Sequence, residues 1–110
     1  MDKNVSLRAF DALAHETRLD ALRLLIQVGE GGLPAGEIGD RLGVRQNTMS
    51  VNLKILSQAG LIRSLRDGRI VRYAADFDAV KGLVLYLMQD CCGGRTELCQ
   101  PIFDQIKCGC

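Results

Sequence analysis

All five cysteines of this 110-residue chain lie within its last twenty positions, at Cys91, Cys92, Cys99, Cys108 and Cys110. The ninety residues before them contain none. Five is an odd number, Cys91 and Cys92 are adjacent, and the spacings match no familiar disulfide framework of secreted domains. In a reducing compartment such a cluster reads as metal-binding or redox-active thiols rather than as structural bridges. Other chemistry is poorly provided for. There is no Cys-x-x-Cys, no glycine-rich phosphate loop, and no histidine placed beside a cysteine by a recognisable motif. The one histidine, His15, stands between two helical stretches and reads as a cap or surface residue rather than a ligand. An enzyme is therefore not expected.

Charge points to a partner. From Val44 to Ala75 the chain carries Arg45, Lys54, Arg63, Arg66, Arg69 and Arg72 against the single acid Asp67, although its net charge is only +1. A basic segment inside a nearly neutral protein is an electrostatic footprint for a polyanion. The longest apolar run, Leu83 to Met88, is too short to span a bilayer, and the first residues show no targeting pattern, so a cytoplasmic protein with no membrane association is expected.

The elements that must position these groups follow from hydrophobic period and punctuation. Val5 to Ala14 spaces Leu7, Phe10 and Leu13 helically, with Ser6 as its cap. A second helix is expected over Glu16 to Val28 with a stripe of Leu19, Leu22, Leu25 and Ile26, stopped by Gly29, Gly31 and Gly32. Pro34 suits the first turn of a short third helix through Glu37, Ile38 and Leu42, which Gly43 ends. Arg45 to Ala59 places Met49, Leu53 and Leu56 on one face, and Gln46, Asn47, Thr48, Ser50, Asn52 and Lys54 on the other. Asp67-Gly68 between two β-prone runs signals a hairpin. A last helix from Phe77 to Asp90 is apolar on more than one side, so it asks for a second cover, for which another subunit is the candidate. Gly93-Gly94 would end it with Cys91 and Cys92 in its last turn. Beyond that the tail suggests only a turn of helix near Ile102 and Phe103.

The fold class is thus mainly α with a small β-hairpin, in the order α-α-α-α-β-β-α. It divides into a DNA-binding and dimerisation domain over residues 1–92 and a cysteine-rich tail over 93–110. A short helix, a tight turn and a polar-faced helix make a helix-turn-helix, and the basic hairpin after it makes a wing. In such a motif Arg45, Gln46, Asn47, Thr48, Ser50 and Asn52 are candidates for base and phosphate contacts in double-stranded DNA. Lys54, Arg66 and Arg69 would pair with phosphates and make binding salt-dependent.

The stretches ALAHETRLDALRLL and LGVRQNTMSVNLKILSQAGLIRSLRDGR, with the closing Tyr73, resemble the ArsR/SmtB family of winged-helix metal-sensing repressors over about residues 7 to 90. The resemblance implies a homodimer joined through the first and last helices, bound to a palindromic operator and released by a metal or metalloid. The family pattern often has His where this chain has Asn52. The Cys-x-Cys cluster that many members carry before the recognition helix is missing, since Glu37, Ile38, Gly39 and Asp40 stand there. The segment CCGGRTELC instead resembles C-terminal sites of arsenite-responsive members. On that likeness Cys91, Cys92 and Cys99 would supply three sulfurs to As(III) or Sb(III) as the inducer. Cys108 and Cys110 are possible additional ligands, and no resident cofactor is required. Pulling the tail onto the last helix would shift the dimer interface and the spacing of the recognition helices. A redox- or sulfide-sensing repressor using a disulfide within the tail is the alternative. A structural zinc site is disfavoured by the cysteine spacing.

Overall fold

The structure is a computed structural model and describes residues 1–89 and 96–106. Its elements run α1 (Lys3–Leu13), α2 (Glu16–Val28), β1 (Leu33–Pro34), α3 (Ala35–Leu42), α4 (Gln46–Gln58), β2 (Ile62–Asp67), β3 (Ile70–Ala75), α5 (Phe77–Met88) and α6 (Thr96–Gln105). The winged helix-turn-helix is present, with a third strand and a sixth helix added to the order read from the sequence.

Caps explain where the helices start. Asp2, and not Ser6, caps α1, its carboxylate accepting from the Val5 N–H at 2.8 Å. Ser6 lies inside the helix, where its hydroxyl donates to the Asp2 carbonyl at 2.9 Å. The buried face of α1 is made of the small residues Ser6, Ala9 and Ala12, while Leu7 and Phe10 stay exposed. His15 does cap α2, Nδ1 accepting from the Thr17 N–H at 3.2 Å. Ala21, Leu22 and Leu25 face inward from α2, and Leu19 and Ile26, expected in that stripe, are exposed. Asp76 caps α5 by accepting from the Ala79 N–H at 3.0 Å.

The sheet has the antiparallel order β1-β3-β2. Ile62 to Asp67 pair with Ala75 to Ile70, as the hairpin signal requires, and Gly68 adopts φ +62° in its turn. The third strand, Leu33 and Pro34 against Tyr73 and Arg72, gave no sequence signal because two residues have no readable period. Pro34 consequently precedes α3 instead of entering its first turn. Gly32 makes the junction. It has φ +64°, and a Cβ placed there would meet the Tyr73 carbonyl group, with the carbonyl carbon only 2.7 Å away.

The core lies where α2, α3, α4 and the base of the sheet meet. Leu25, Ile38, Met49, Leu53, Leu56 and Leu61 are fully buried there, each worth about 1.5–3 kcal/mol relative to exposure. The last helix of the body, α5, ends at Met88 rather than Asp90, because Gln89 turns to extended backbone at φ −60°, ψ 131°. Cys91 and Cys92 lie outside the described residues, as do the expectation that they occupy the helix's last turn and the proposed boundary at 92/93. The tail is more helical than expected: α6 spaces Leu98 and Ile102 four residues apart and accommodates Pro101 in its interior. No helix among the described residues is long and apolar enough to cross a membrane.

Candidate functional site

The turn between α3 and α4 sets the angle of the recognition helix. Gly43 ends α3 at φ +67°, and the Val44 N–H donates to the Gly39 carbonyl at 2.9 Å. Gly39 is required by close approach, since a Cβ there would stand 2.9 Å from the Val44 carbonyl oxygen. The second helix can therefore fold tightly against the first.

Met49, Asn52, Leu53 and Leu56 turn inward from α4 and hold it to the core. Arg45, Gln46, Asn47, Thr48, Ser50 and Lys54 are all exposed, so these candidate contacts share one accessible surface. At its start Asn47 Oδ1 accepts from the Thr48 N–H at 2.9 Å, and no side chain of Arg45 caps the helix. Backbone N–H groups at a helix start favour an anion.

Asn52 departs from this set. It is only 5% exposed; its Nδ2 donates to the Thr48 carbonyl at 3.0 Å, and its Oδ1 accepts from Arg18 Nη1 at 3.1 Å. With both ends of its carboxamide engaged and its side chain covered, Asn52 is a strut and not a base reader. Arg18 Nε also donates to the Ala12 carbonyl at 2.6 Å, so one guanidinium ties the end of α1 to α2 and α4. Nothing local marked Arg18 for this role, because its partner is 34 residues away. Arg18→Ala strands two partly buried acceptors and is expected to lower stability by about 2–3 kcal/mol, read as a lower urea midpoint at unchanged slope. A loss under about 0.5 kcal/mol would mean that water replaces the guanidinium.

The wing carries the remaining charge. Arg63 and Arg66 are exposed on β2 and Arg69 is exposed in the turn. Arg72 behaves differently, with Nε donating to the Gly31 carbonyl at 3.1 Å and Nη2 to the Gly32 carbonyl at 2.9 Å. It pins the loop before β1 to the sheet and is committed to the fold.

Of the expected thiol site only Cys99 lies among the described residues; Cys91, Cys92, Cys108 and Cys110 do not. Cys99 is 5% exposed on α6 and is disulfide-bonded, so the expectation of a reduced thiol does not hold for it here. No group of three or more potential metal ligands occurs among the described residues. Beside α6 an apolar cleft of about 460 Å³ is lined by Met1, Gly82, Leu85, Tyr86, Met88, Gln89 and Phe103.

Comparison with known proteins decides the family. A helix-turn-helix domain model matches residues 13–64. An HTH-type transcriptional regulator of Bacillus subtilis, YbzH, is 32% identical over 93 residues, spanning 74% of this chain and 93% of its own. The solved ArsR-like transcriptional regulator of Rhodococcus superposes with TM-score 0.70 at 25% identity, covering 97% of this chain and 96% of that one. The chain belongs to the HTH-type transcriptional regulators, and its fold is that of ArsR-like winged-helix proteins. Another neighbour of this HTH-type regulator is a homodimeric winged helix-turn-helix DNA-binding domain of Mycobacterium bovis, with TM-score 0.64, 29% identity and 77% coverage of each chain. A Streptomyces lividans relative named "Probable mercury resistance operon repressor" is 32% identical over 82 residues, 74% of this chain and 63% of its own length.

The exposed polar and basic candidate contacts and the exposed apolar side chains of α1 and α5 lie on different elements of this HTH-type regulator. Leu7 and Phe10 on α1 and Val84, Leu85 and Leu87 on α5 are exposed, whereas the polar start of α4 and the wing form the basic surface. An apolar face exposed on packed helices suits contact with another protein surface, and the basic surface suits a polyanion.

Proposed function

We propose that the chain is a homodimeric transcriptional repressor, joined through α1 and α5, that binds a palindromic operator and is released when As(III) or Sb(III) binds its C-terminal thiolates. The observation that carries the operator reading is the simultaneous exposure of Gln46, Asn47, Thr48, Ser50 and Lys54 on α4 and Arg66 and Arg69 on the wing. The exposed leucines of α1 and α5 and the homodimeric Mycobacterium neighbour support the dimer. Cys91, Cys92 and Cys99 are the proposed ligands, with Cys108 and Cys110 in reserve. The mercury-resistance relative supports a thiophilic inducer, since mercury and trivalent arsenic both favour sulfur.

The disulfide at Cys99 favours a second reading, in which thiol oxidation or persulfide is the signal. The two readings use different states of the same sulfur. A disulfide-bonded Cys99 has no thiolate to offer, so metalloid binding requires reduction first. Either input would act through the end of α5 and the dimer interface. A coupling of ~1–3 kcal/mol lowers operator affinity about 5–150-fold.

One titration separates them. With reductant present, arsenite is expected to release the full chain from a duplex selected by the protein from random DNA. Serine at position 91, 92 or 99 should blunt that release at least about tenfold, while serine at 108 or 110 leaves it unchanged. Retention on the duplex at saturating arsenite rules out the metalloid. Release by peroxide without arsenic, abolished in Cys99→Ser, establishes the redox reading in its place.

A further inference from the structure

The outward face of α4 holds one apolar side chain among its described exposed residues. Val51 is 60% exposed, amid Asn47, Thr48, Ser50, Lys54 and Gln58. At 3.6 residues per turn it stands nearly opposite the buried line of Met49, Leu53 and Leu56, with Asn47 one turn before it and Lys54 almost one turn after. A valine here gains nothing from the core. Being β-branched, it is also a weaker helix former than the alanine, lysine or glutamine that an exposed position ordinarily favours. Isolated surface valines need no explanation, but this one occupies the centre of the surface that α4 would insert into a groove.

We propose that Val51 reads the 5-methyl group of a thymine in the major groove, adding a T·A preference at one position of each half-site. This rests on the operator-binding reading and deepens it. Thymine is marked in the major groove by its methyl group and the O4 acceptor, and an apolar side chain recognises the methyl by contact. Val51 neither donates nor accepts, so it cannot make the paired hydrogen bonds by which arginine selects guanine or asparagine selects adenine. Its neighbours divide the remaining work: Asn47 keeps its Nδ2 donors for a base edge while its oxygen holds the Thr48 N–H, and Lys54 reaches toward phosphate. Burying one methyl against Val51 corresponds to about fourfold in affinity per half-site, or roughly tenfold to twentyfold for two.

The test uses the full chain under reducing conditions. Duplexes are selected from a random library, and each thymine of the selected site is then replaced by deoxyuridine in both half-sites, which removes the methyl and nothing else. One symmetric pair of thymines is expected to lose roughly tenfold to twentyfold with the parent protein and clearly less with Val51→Ala, whose shorter side chain covers less of the methyl. Lys54→Ala should instead weaken binding to every duplex alike and leave the deoxyuridine penalty intact. If Val51→Ala retains the full penalty, or no thymine shows one, the Val51 assignment fails while operator binding stands. If the parent enriches no sequence at all, both fail.

Discussion

Gly32→Ala will destabilise the protein by about 3 kcal/mol, a large fraction of the stability of so small a domain. Two costs combine. Gly32 has φ +64°, and the left-handed region costs an L-residue with a Cβ roughly 1–2 kcal/mol. The added methyl must also displace the Tyr73 carbonyl, which is sheet backbone and cannot rotate away as a flexible side chain would. Overpacking of this sort adds about 1–3 kcal/mol. Gly60→Ala provides the control, because Gly60 has φ +79° but nothing within 4 Å of its Cβ position. It should lose only about 1 kcal/mol. Urea unfolding of the three proteins checks the difference, and equal losses at the two glycines would show that the β1–β3 contact yields freely. The larger loss has a functional corollary. The carbonyls of Gly31 and Gly32 accept from Arg72, so opening this junction frees the base of the wing.

Removing Lys54, Arg66 and Arg69 together by alanine substitution will abolish most operator affinity without altering stability. All three side chains are exposed, on α4, on β2 and in the turn before β3. In the proposed dimer each protomer supplies them, so six phosphates lose their partners. A protein with about six such contacts loses roughly 10³ in affinity between 50 and 200 mM salt, with log K falling against log salt by about 0.9 per contact. The triple variant is expected to bind at least about 10³-fold more weakly at low salt and to show a slope smaller by about 5. Fluorescence anisotropy across a salt series reads both quantities. An unchanged slope would move the phosphate contacts elsewhere. Arg72 is deliberately left in place, since its removal would disturb the fold rather than the interface.

The architecture was legible in the sequence wherever the physics is local. Apolar spacing of 3.6 residues, the Asp67-Gly68 turn and the glycine stops at Gly29 and Gly43 each act over a few residues, and they led to α1 to α4, the hairpin and α5. The helix-turn-helix and its basic wing followed from their order. His15 as a cap belongs to the same class. Misreadings arose where short-range signals compete. Asp2 outcompetes Ser6 as the cap of α1 because a carboxylate three residues before the Val5 N–H is better placed. Leu7, Phe10, Leu19 and Ile26 fit a helical period, yet they lie on the side of their helices that the core does not reach.

Only the tertiary structure could decide which polar residues of α4 face outward. Asn52 is one residue from the exposed Val51, yet it is buried and accepts a hydrogen bond from Arg18, brought to it from 34 positions away. Arg72 looked like its neighbouring arginines until the loop before β1 supplied carbonyls for it to hold. The two-residue β1 exists because β3 offers it a partner, and Gly32 is needed because that partner's carbonyl is so near. Composition and spacing determined that a helix-turn-helix body with a basic segment from Val44 to Ala75 is joined to a tail bearing all five cysteines. Long-range packing determined which side chains remain free to read DNA, since a side chain bonded within the fold cannot also meet a base.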